Sequence, residues 1–74
     1  MLRLSDKYTQ SLLAQPETGM GYQVADVTLK AGLKFRGVTI VNAEYVTAVQ
    51  GCKGIPFTEP EIDKIVVTHE KLTP

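Results

Sequence analysis

The chain has 74 residues, with eight basic and eight acidic side chains, one cysteine, one histidine and no tryptophan. One cysteine closes no internal disulfide, and one Cys with one His falls short of the four ligands of a structural zinc site. The zero net charge excludes the strong, sequence-independent nucleic-acid binding that rests on a basic excess. A single domain of this size buries only about 60% of its unfolded surface. Oligomerisation is then the remaining way for it to gain stability, so a homo-oligomer is expected, with no cofactor and no metal. The charge is uneven: residues 1–37 carry +2 and residues 38–74 carry −2, which suits complementary faces meeting in an oligomer. The start, MLRLSDKYTQ, has no apolar signal segment, and no apolar run approaches membrane-spanning length. With a lone cysteine, this gives a cytoplasmic expectation and no membrane partner.

In chain order, residues 5–15 are predicted to form a helix. Ser5 stands as N-cap, Asp6 in the first turn, and Tyr8, Leu12 and Gln15 along one stripe flanked by Leu13. Gln15-Pro16 ends it, because a residue before proline avoids the α region. Leu2 and Leu4 are placed to pack back on the helix. Pro16 to Gly21 is a loop. From Tyr22 the apolar period changes to two, giving a strand over 22–30 with Gln23, Ala25, Val27 and Leu29 on one face. Lys30-Ala-Gly-Leu33 reads as a two-residue hairpin turn, Gly32 supplying positive φ. A second strand covers 33–41. Leu33 and Phe35 share a face, and the apolar phase moves to Val38 and Ile40 after Gly37, which marks a bulge or bend. Asn42-Ala43 is the next turn and 44–50 a third strand. After the Gly51–Gly54 loop, Thr58 and Glu61 form a capping box that opens a helical turn over 59–63. The β-branched run 64–69 is a fourth strand, and the tail Glu70–Pro74 is expected to fray. The fold class is α+β: an N-terminal helix packed on a strongly bent antiparallel sheet or small open barrel of about four strands, in one domain.

Two resemblances attach to particular segments. Val27-Thr-Leu-Lys-Ala-Gly-Leu-Lys-Phe-Arg-Gly37 resembles the opening of Sm-like barrels, and SH3-like barrels show similar hairpins. The family's RNA-binding positions are not matched. Val38-Thr-Ile-Val-Asn42-Ala-Glu44 lacks the Asp followed by Asn, and no Arg-Gly stands near the final strands. Leu13 to Tyr22, containing PETGMGY, together with Ile55 to Ile62 and Val67-Thr-His69, is similar to short bacterial proteins of the mobile-gene-cassette type. That resemblance implies a bacterial cytoplasmic origin and no particular activity.

Candidate chemistry is sparse. Cys52 and His69 are the one nucleophile–base pair, with Lys53 beside Cys52 in a glycine-flanked loop. Gly19-Met-Gly21 and Gly51-Cys-Lys-Gly54 lack the flanking elements and spacing of phosphate-binding loops and read as turns. Glu59, Glu61 and Asp63 suit the first turn of a helix better than a metal site. The best binding candidate is the basic hairpin Lys30, Lys34 and Arg36, with Tyr22 and Tyr45 on nearby strands as stacking surfaces for a single strand. The expected function is that of a non-enzymatic, homo-oligomeric module binding a protein or small ligand. The alternatives are an Sm-like nucleic-acid binder and, third, a Cys52-dependent enzyme.

Overall fold

The computed structural model describes residues 1–68, so His69 and the tail Glu70–Pro74 lie outside the described residues. One helix and five strands form a curled, half-barrel antiparallel sheet with the helix at its N-terminal end. The elements are β1 (Leu2–Arg3), α1 (Asp6–Leu13), β2 (Tyr22–Leu29), β3 (Lys34–Val41), β4 (Tyr45–Val49), a 3₁₀ turn (Glu59–Glu61) and β5 (Ile62–Val67). The strand order is β1-β4-β3-β2-β5. The central three strands are a meander, and the two edge strands come from the two ends of the chain.

The period-two face of β2 is buried as expected: Gln23, Ala25, Val27 and Leu29 all point inward. They meet Val38 and Ile40 of β3, Val46 and Val49 of β4, and Ile62 of β5, and Leu4, Leu12 and Phe57 complete the core. Phe35 and Phe57 pack with ring centroids 5.5 Å apart. Gly37 does what its position predicts. With φ of +64° it stands with Arg36 opposite the single residue Asp26, so the register slips and the inward phase passes from Phe35 to Val38.

Four details differ from the sequence expectation. The sheet has five strands rather than about four, because Leu2 and Arg3 pair with Val46 and Tyr45. The helix is shorter than 5–15 and keeps Tyr8 and Leu12 inward, while Leu13 is 69% exposed. The β2–β3 loop has three residues, not two: Leu29 N–H donates to Leu33 O (2.7 Å) around Lys30, Ala31 and Gly32. Leu33 thereby closes the loop ahead of β3, 60% exposed, and does not share the core face of Phe35. Finally, the Thr58–Glu61 box opens a single 3₁₀ turn, and β5 starts at Ile62, two residues early. The Glu61 carboxylate accepts from the Thr58 N–H (2.8 Å) and hydroxyl (2.9 Å).

The N-terminal segment spans the open side of the sheet. After β1 has paired with β4, the Tyr8 hydroxyl on α1 donates to Ile62 O at the start of β5 (3.0 Å), and Ser5 Oγ donates to Glu59 (3.1 Å). Ser5 thus occupies the N-cap position but commits its hydroxyl across the fold.

The β3–β4 turn places Asn42 and Ala43 at φ of +55° and +56°; Glu44 N–H donates to Val41 O (3.1 Å), and with Val41 in register with Tyr45 the loop has three residues, 42–44, rather than two. Asn tolerates this region; alanine costs roughly 1–2 kcal/mol there. Ala43 is also buried, so Ala43→Gly gives up about 0.8 kcal/mol of methyl burial. The strain term wins narrowly. Thermal unfolding of Ala43→Gly is expected to show an unchanged to slightly raised Tm, and a fall of more than about 4 °C would contradict the argument.

Candidate functional site

The sheet register separates the expected binding residues into two groups. Lys34 stands opposite Thr28, which stands opposite Lys64, so one row across β3, β2 and β5 carries two lysines. Arg36 lies beside this row on the same side of β3, and Lys30 follows β2 in the hairpin loop; all four cations are exposed. Lys64 was not part of the sequence-derived patch, because only strand pairing brings it there. Within the patch Lys34 is held by Asp26 (3.5 Å), whose carboxylate is largely buried and keeps one oxygen without a hydrogen-bond partner.

Tyr22 and Tyr45 do lie on nearby strands, both in register with Val41 between them, and Arg3 continues the row beyond Tyr45. That row is at the far end of β3 from Lys34, roughly 20 Å away at the rise of a strand. The tyrosines therefore do not interleave with Lys30, Lys34 and Arg36, which removes the stacking-plus-cation arrangement. Tyr22 has a local role: its ring lies against Gly19, where any Cβ would collide with it.

The other candidates resolve structurally. Glu59 and Glu61 are occupied by Ser5 and Thr58, and Asp63 is the extra residue of a β5 bulge. Among the described residues no group of acids, histidine and cysteine could hold a metal ion. Cys52 is exposed in the loop after β4, its N–H bonded to Val49 O (3.0 Å).

A groove of about 510 Å³ opens beside the end of α1. Leu12, Leu13, Pro16, Tyr22 and Ala43 supply its apolar walls, and Gln15, Glu17, Gln23 and Asn42 its polar groups. Gln23 organises it. Its side chain sits on the otherwise apolar inward face of β2, 2% exposed. Its Nε2 donates to Leu12 O (2.9 Å), Pro16 O (3.2 Å) and Gln15 O (3.3 Å). Leu12 O also accepts the Gln15 N–H (3.0 Å), and Gln15 O and Pro16 O lie past the helix, so a buried donor from the sheet ties the end of α1 to the turn of the 15–17 loop. Three carbonyl partners also fix the amide orientation, since only the nitrogen can serve them.

Comparison of the chain with protein-family models, curated proteins and solved structures gives no match. The functional reading therefore rests on the site and its surfaces. Among the described residues no helix is long and apolar enough to cross a membrane.

Proposed function

We propose that the chain is a non-enzymatic interaction module that self-associates by pairing the β5 edges of two copies. The observation that carries this reading is the state of that edge. Thr68 N–H donates to Val24 O (3.0 Å), which makes 24/68, 26/66 and 28/64 the hydrogen-bonded pairs of the β2–β5 ladder. The alternation turns the N–H and C=O groups of Ile65 and Val67 outward, and among the described residues no strand pairs with them. At the start of the strand Ile62 O is taken up by Tyr8 and the Ile62 N–H by Glu59 O. Val66, 51% exposed, adds an apolar side chain on the outer face. An open edge of this composition is a template for another strand.

A two-fold axis at Val66 satisfies the edge and its side chains together. Ile65 then pairs with Val67 of the second copy, extending the core face, and Val66 meets its own copy. Lys64 faces Thr68 rather than another lysine, so no like charges are opposed. The basic row is the weaker surface for a ligand, because Asp26 neutralises Lys34.

The Val66 pair would be of the non-hydrogen-bonded type, with Cα atoms about 4.5 Å apart, within disulfide reach. Val66→Cys in a Cys52→Ser background is expected to oxidise to a covalent dimer, while Lys64→Cys in the same background is not. Light scattering of the unmodified chain should give a multiple of 8.1 kDa. A monomer at high concentration, with no cross-link formed by the Val66→Cys variant, would reject the interface.

A further inference from the structure

We infer that Asp26 is completed by the second copy, whose Lys64 crosses the seam between the two β5 edges and brings its ammonium to the carboxylate. This rests on the edge pairing proposed above and adds a residue to it. The first ground is the carboxylate. Asp26 is in register with Val66, the residue on the two-fold axis, so the two share the outer face of the sheet. Lys34 meets its Oδ2 (3.5 Å). Its Oδ1 is the one buried side-chain polar atom among the described residues without a hydrogen-bond partner. Leaving such an oxygen without a donor is costly, and more so for a charged group. The side chain keeps 14% exposure and the terminal torsion of an aspartate is soft, so a donor arriving over the outer face can take either oxygen.

The second ground is the lysine. Lys64 is exposed and has no ion pair among the described residues. The axis at Val66 sets Lys64 of the second copy opposite Thr68, one diagonal step from Val66, a separation that long side chains span. Its aliphatic stem then lies over Val66, which is 51% exposed, while the charged head reaches on. Asp26 stands one strand further in. Strand spacing and rise put the two Cα atoms roughly 12 Å apart, which an extended lysine, the aspartate and a hydrogen bond together cover. The symmetry makes two such contacts, one on each side of the seam.

The test compares the dimer dissociation constant of the full chain, by sedimentation, with those of Lys64→Met, an exposed change, and Asp26→Asn. Each variant loses both contacts and should dimerise about tenfold more weakly, with a smaller dependence on salt than the unmodified chain. An equal mixture of the two variants, one labelled with ¹⁵N, decides whose lysine is involved. In a mixed dimer the intact Asp26 of one copy still meets the intact Lys64 of the other, so mixed dimers should exceed half of all dimers in native mass spectrometry. A pair formed within one copy would be broken in both chains and leave mixed dimers at the statistical half, which would overturn the inference. An unchanged dissociation constant in either variant would overturn it too, while leaving the edge pairing in place. A monomeric unmodified chain, with no cross-link through Val66→Cys, would remove the pairing itself and the inference with it.

Discussion

Leu12→Ala is expected to destabilise the fold by about 3 kcal/mol, and to do so by releasing the helix. Leu12 is the one buried residue of α1 and belongs to the core cluster. Large-to-small changes at such positions cost about 2–5 kcal/mol, the spread depending on how far the site collapses. The sheet retains its own core without this side chain, so the loss concentrates where Leu12 acts. An eight-residue helix has little stability of its own, and its other ties are the half-buried Tyr8 and the Gln23 amide beneath its end. Hydrogen exchange should show α1 amides opening well before those of β2–β4, and urea unfolding should register the full loss. A cost below about 1 kcal/mol would mean that the helix does not depend on this anchor.

Ile40→Ala should cost about 4 kcal/mol and act on the whole molecule at once. Ile40 is fully buried in the central strand, in register with Gln23 on one side and Val46 on the other. Its removal leaves a cavity bounded by neighbouring strands that the ladder holds at fixed spacing, so relaxation is limited. A chain of this length has a total stability of about 4–11 kcal/mol, and the variant loses a large part of it. In contrast to the helix variant, protection should fall together across β2, β3 and β4, with the urea midpoint lowered and the slope unchanged. A selective loss confined to α1 would contradict this reading of the core.

Much of the sheet was legible because its determinants are local. The alternation of Gln23, Ala25, Val27 and Leu29, the positive φ of Gly32, the phase slip at Gly37 and the reciprocal pair Thr58–Glu61 each depend on residues within a few positions. What was not legible depends on partners far along the chain. Two residues are too few to show a period, and Leu2–Arg3 is a strand only because Val46 and Tyr45 are beside it. Lys64 joins Lys34 only through the pairing of β5 with β2. That pairing also interleaves the basic and acidic halves of the sequence, so the charge asymmetry does not divide the molecule into two faces. The groove had one visible signal, a glutamine placed on the apolar face of β2. An amide at such a position has to be serving buried polar groups, and the carbonyls at and after the end of the preceding helix are the nearest along the chain.

The bonds from Gln23 make the end of α1 and the floor of the groove one thermodynamic unit. Any molecule that occupies the groove only when the helix is docked stabilises the docked state by RT ln(1 + [L]/Kd). By reciprocity, whatever loosens the helix weakens that molecule's binding by the same factor. The short helix therefore couples the groove to the core that it covers.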